Sequence, residues 1–118
     1  MPEVHELVVW CGLTRHHAMS AIGLPQDTES ILTKLLSGSC PMVGDLMLEP
    51  IGRTRSAEGF GVVLERRATV RSPHHVRTRD DLPTRYARRI QQVRKAFREL
   101  GFTRAAQLYV SVEDRTYD

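Results

Sequence analysis

The stretch from Leu82 to Leu100 constrains the fold of this chain more than any other. Leu82, Tyr86, Ile90, Val93, Phe97 and Leu100 recur at spacings of three and four, which lays one apolar stripe along a helix. Pro83 suits its first turn and Gly101 ends it. The opposite side carries Arg85, Arg88, Lys95 and Arg98, with Arg89 and Arg94 on the flanks. A helix divided in this way must lie against an apolar surface, and the segments around it read as strands.

Val4 to Trp10 is β-branched and apolar, which predicts a buried strand closed by Gly12. Residues 13 to 26 fit a short helix or a second strand at Ala18 to Ile22. Asp27 reads as the N-cap of a helix whose stripe is Ile31, Leu32, Leu35 and Leu36, ended by Ser37-Gly38-Ser39 and Pro41. Gly44 to Ile51 and Phe60 to Val70 read as a hairpin with its tip at Gly52 to Gly59, and Pro50 places the first of these strands at an edge or a bulge. Ser72 to Asp81 reads as a polar loop. In the last strand, Ala106, Leu108, Val110 and Val112 alternate with Gln107, Tyr109 and Ser111.

The order is β-α-β-β-α-β. It predicts a single α+β domain over 1–118, ferredoxin-like, with two helices on one face of a four-stranded antiparallel sheet. The alternative is a small β-barrel formed by residues 44 to 71 with the long helix packed outside. At 118 residues the chain is long enough to bury a core without disulfides or metal. Two cysteines, no apolar run of membrane-spanning length and a start (Met1-Pro2-Glu3) without a leader pattern predict a cytoplasmic protein.

Charge is distributed very unevenly. Fifteen of the 17 basic residues are arginine, and thirteen arginines lie between Arg53 and Arg104. With Lys95 that stretch holds fourteen bases against five acids, a net +9, while the first fifty residues sum to −4 and the last fourteen to −2. High-GC coding favours arginine over lysine but does not explain clustering. The cluster predicts an anionic partner, with RNA or DNA the first choice. The proposed phosphate contacts are Arg53 and Arg55 at the hairpin tip, Arg66, Arg67 and Arg71 on the following strand, Arg77 in the loop, and Arg85, Arg88, Arg89, Lys95 and Arg98 on the helix. Phe60 and Tyr109 would offer stacking faces on the open side of the sheet. Two other readings stand beside this one: a solvated surface, and a structural or adaptor protein that docks on an acidic partner or joins a larger assembly through its sheet edges.

Gly59-Phe60-Gly61-Val62-Val63 resembles the glycine-aromatic core motif on the third strand of the RNA recognition motif family. Gly23-Leu24-Pro25 with the helix after it resembles that family's first strand end and first helix. The resemblance covers about a third of the chain and implies base stacking by Phe60. Val62 and Ser20 stand where further aromatics are usual.

No other motif carries chemistry. Trp10-Cys11-Gly12 resembles the start of a thioredoxin redox motif but lacks the second cysteine, and it reads as a buried thiol at a strand end. His16-His17 and His74-His75 are adjacent pairs, so each supplies at most one convenient metal ligand. Phosphate-binding loops, dinucleotide fingerprints, nucleophile elbows and paired-cysteine ribbons are absent. The reading is a non-enzymatic protein with no cofactor and no metal, with a small enzyme using Cys11 or the histidines as the third choice.

Overall fold

Strand β1 (Val4–Thr14) runs through the middle of the sheet and decides what each face is made of. The computed structural model describes residues 4–52, 57–69 and 82–115. The predicted contacts Arg53, Arg55, Arg71 and Arg77, the tip of the hairpin and the histidines of the polar loop lie outside those residues. After β1 come α1 (Arg15–Met19), α2 (Gln26–Leu36), β2 (Met42–Val43), β3 (Leu46–Met47), β4 (Glu49–Ile51), β5 (Gly59–Thr69), α3 (Leu82–Arg85), α4 (Ala87–Glu99) and β6 (Gln107–Arg115). The architecture is α+β, with an antiparallel four-stranded sheet ordered β4-β5-β1-β6 and a separate two-stranded β2-β3 ribbon.

Alternation along β1 sends Cys11 and Leu13 to one face and Val8 and Trp10 to the other. The first face is packed by the helices: Leu35 from α2 and Ile90, Val93, Ala96 and Phe97 from α4 join Cys11, Leu13, Phe60 and Val62 in the main core. Full burial of side chains of this size contributes about 1.5–3 kcal/mol each. The second face holds a small cluster of Val8, Trp10 and Ile51 with Val63 and Tyr109 against it, and no helix contributes to it. A bulge between Val9 and Trp10 in the β1–β5 register leaves Leu64 as the extra residue.

The helix C-terminus behaves as expected. Gly101 takes φ +101°, its N–H donates to the Arg98 carbonyl, and the Phe102 N–H donates to the Phe97 carbonyl at 3.1 Å. This is a Schellman closure, and the Phe97 and Phe102 rings meet at 5.6 Å beside it. Thr28 in α2 ties the two helices together by donating its hydroxyl to the Leu100 carbonyl at 2.6 Å.

Five sequence expectations need correction. Gly12 does not close β1, which continues to Thr14 and pairs Gly12 with Gly61. Asp27 is not the N-cap of α2: Pro25 is, with no side-chain cap, and Asp27 lies in the first turn. Gly44 to Ile51 is not one strand, since the backbone turns between β2 and β3 and pairs with β5 only over Glu49–Ile51. The long helix is interrupted at Tyr86, whose ring hydroxyl donates to Glu65 Oε2 on β5 at 2.6 Å. The interruption changes no apolar spacing, so periodicity could not reveal it. Finally, Gly23-Leu24-Pro25 is a loop before α2 and not a strand end.

Candidate nucleic-acid interface

The cations of α3 and α4 are outside because the apolar stripe takes the other side. Ile90, Val93, Ala96 and Phe97 are buried, which turns Arg88, Arg89, Lys95 and Arg98 to solvent, and Arg85 on α3 is exposed with them. Arg88 and Lys95 stand two turns apart, about 10 Å along the axis, with Arg98 and Arg89 on either flank. Their engagements are weak. Arg85 lies over the Tyr86 ring at 5.5 Å. Arg89 donates to Gln92 at 3.3 Å. Lys95 meets Glu99 at 3.9 Å with both side chains about 70% exposed, a pair that contributes little. Arg94 is different: half-buried, it donates its Nε–H to the Ala106 carbonyl at 2.9 Å and so fastens α4 to the start of β6.

A cleft of about 320 Å³ adjoins this surface between the β2–β3 ribbon and α4, lined among others by Asp45, Leu46, Arg89, Gln92 and Lys95. It gives the cations a concave margin, with Asp45 and Glu99 as its acids.

The two arginines of β5 separate. The bulge at Leu64 puts Glu65 and Arg67 on the helix side and Arg66 on the open side. Arg67 is exposed. Arg66 is held by carboxylates from three other strands: Glu6 at 2.7 Å, Glu49 at 3.1 Å and Glu113 at 3.6 Å. Burial opposes its charge, but the hydrogen bond it donates to Glu6 and the fields of Glu49, Glu113 and Glu6 outweigh burial and raise its pKa. A guanidinium satisfied in this way is a structural cation rather than a free phosphate contact.

The aromatic platform does not form. Phe60 is 1% exposed and sits in the core under the helices, so it cannot stack on a base. Glycines 59 and 61 occupy the open side of β5, one residue out of phase with the expected motif. Tyr109 does face the open side, but its ring is stacked on Trp10 at 4.6 Å and 29°. Trp10 in turn donates its indole N–H to Ser111 at 2.9 Å, and Ser111 donates to Glu58 at 2.8 Å. Glu113 accepts from the Gly52 N–H at 3.0 Å. On this face Glu6, Glu49 and Glu113 thus surround Arg66, with Glu58 joined through Ser111. This acidic network was missed in the sequence because its members come from four separate segments; the alternation Gly59-Phe60-Gly61 opposite Trp10 was the available signal.

The remaining candidates are inert or unassembled. Cys11 is fully buried, and burial pushes its thiol up to about 11, with Arg94 pulling weakly the other way. Cys40 is exposed and unpaired. His16 and His17 lie on α1 with ring centres 5.8 Å apart, and no metal-binding cluster occurs among the described residues. No described helix is long and apolar enough to cross a membrane. No protein-family model, curated protein or solved structure matches the chain.

Proposed function

We propose that this is a non-enzymatic nucleic-acid-binding protein that engages phosphates through the exposed face of α3 and α4. The observation that carries the reading is the row Arg85, Arg88, Arg89, Lys95 and Arg98, all exposed, with Glu99 the one acid on the two helices. Phosphate contacts of this kind neutralise backbone charge and release counterions without reading sequence. The acidic open face of the sheet repels the same ligand, so binding is confined to the helix layer. The sheet order β4-β5-β1-β6 supports reading the fold as ferredoxin-like, with α1 and the β2–β3 ribbon as additions between its first two strands.

The test is fluorescence anisotropy with single- and double-stranded RNA and DNA across a salt series. Four phosphates neutralised by Arg88, Arg89, Lys95 and Arg98 give a log–log slope of about −3 for single strands and about −4 for duplex. Affinity then falls about 100-fold between 50 and 200 mM salt. Arg88→Glu combined with Lys95→Glu abolishes binding while leaving the circular dichroism spectrum unchanged. No binding to any of the four nucleic acids at low salt would sink the proposal.

A further inference from the structure

We infer that the protein pairs with a second copy of itself through the edge of β6, which no described strand covers, making one continuous eight-stranded sheet. Strand β6 is an edge strand of the four-stranded sheet, nine residues long, and its register with β1 is unbroken from Val4↔Arg115 to Gly12↔Gln107. Gln107 to Val112 contains no proline, glycine or charged residue. Edges normally carry such guards, because a row of unpaired N–H and C=O groups templates pairing with another chain.

The opposite edge of the same sheet is guarded. There β4 is three residues long and includes Pro50, and β5 bulges at Leu64 beside Arg66 and Arg67. Over Gln107 to Val112 the protection is therefore one-sided, and that stretch is also the one with exposed apolar side chains. Val110 and Val112 are each 38% exposed. Both lie on the helix side of the sheet, beside half-buried Leu108.

The strand is complementary to itself, which selects a second copy as the occupant. An antiparallel pair about a two-fold axis through Val110 and perpendicular to the sheet sets Val110 opposite its own equivalent and Leu108 opposite Val112 in both directions. On the open face it sets Tyr109 opposite Ser111 and Gln107 opposite Glu113. On the helix side, from Leu108 to Val112, every apolar side chain meets an apolar one, and no acid faces an acid on either face, which is what cross-strand pairing requires. Moving the axis to Val112 would set Val110 opposite Asp114 and lose the match. The result is an isologous interface that leaves both α4 helices on the same side of the joined sheet. This pairing does not depend on the nucleic-acid reading.

Light scattering on the purified chain decides first: pairing gives twice the 13.4 kDa chain mass, and a single-chain mass at every concentration overturns the inference, including when the edge instead takes up a strand of another protein. Val110→Lys yields monomer with an unchanged circular dichroism spectrum; a dimer that survives it overturns the inference. Val110→Cys, in a Cys40→Ser background, gives a second measurement that is independent of whether the lysine variant folds. Oxidation crosslinks it into dimer, because the two sulfurs meet on the axis. Val112→Cys in the same background stays uncrosslinked, its equivalents lying four residues apart along the strands, about 13 Å. Equal crosslinking of the two variants refutes the register.

Discussion

Removing the Arg66 guanidinium tests whether the open face of the sheet is an electrostatic unit or a scattering of surface charge. Arg66→Met keeps the bulk of the stem and removes the guanidinium that Glu6, Glu49 and Glu113 share. Glu6 matters most: its side chain is 11% exposed, so water replaces the lost partner poorly. Breaking a buried pair costs about 3–5 kcal/mol, and an exposed pair about 0–1 kcal/mol. Arg66 itself is 35% exposed, which places the expected loss between those limits, at about 2–3 kcal/mol. For a chain of this length the unfolding entropy is about 0.25 kcal/mol per degree, so the melting temperature falls by about 8–12 °C. The assay is urea denaturation and calorimetry of wild type, Arg66→Met, Glu6→Gln and the double variant. Glu6→Gln alone costs less, about 1 kcal/mol, because Glu49 and Glu113 still hold the guanidinium. In the Arg66→Met background the same change costs less, since the Arg66 contact it would break is already gone, and the coupling energy is about 1–2 kcal/mol. A loss under about 0.5 kcal/mol for Arg66→Met with no coupling to Glu6 would refute the reasoning. Nucleic-acid affinity, if carried by α4, is unchanged in the Arg66→Met protein measured below its melting temperature.

Two further predictions concern the sheet. A Cβ on Gly59 would land on Trp10 Cη2 and on the Leu13 carbonyl oxygen. Gly59→Ala therefore pushes the indole off β5 and costs about 1–3 kcal/mol, with a red shift in emission from the single tryptophan; unchanged emission and an unchanged midpoint would count against that packing. Cys11 has a folded pKa of about 11 against an ordinary 9, so folding favours the neutral thiol. Its contribution is complete below pH 9 and is lost as pH rises through 11, a fall of about 2–3 kcal/mol by linkage. Denaturation midpoints of wild type and Cys11→Ala across that range show the difference, and parallel slopes would contradict it.

The parts of the fold that were legible in the sequence are those set by local period. The α4 stripe, the Gly101 closure and the alternation of β6 each depend on residues within a turn or two of one another, and each is found where the pattern placed it. The site was less legible because its outcome depends on which strand lies opposite. Phe60 and Arg66 show why. Gly59-Phe60-Gly61 fits either face of a sheet, and Phe60 goes inward because Trp10 on β1 occupies the space over Gly59. Arg66 belongs by count to the basic block, yet one extra residue at Leu64 shifts it to the face where Glu6, 60 positions away, is waiting.

The same shift changes what the basic block is. A run of +9 in sequence does not become a +9 surface, because β5 spends one arginine on the acidic face and α4 spends another, Arg94, on the Ala106 carbonyl. What is left on the described helices is a compact row of exposed cations, and on the other side of the sheet a patch where carboxylates outnumber guanidinium. Two packed layers separate these patches by more than the Debye length, about 8 Å at physiological salt. Each face therefore acts on a partner nearly independently: the helix layer attracts a phosphate chain, the sheet face turns it away, and the orientation of the bound strand follows without any base contact. Pairing through β6 preserves that division. An axis perpendicular to the sheet keeps helix layer beside helix layer and acidic face beside acidic face, so the dimer presents twice the cations on one side. A two-fold axis lying in the sheet plane would instead set the charges of one copy against those of the other, and its helix layers would no longer form a single basic surface.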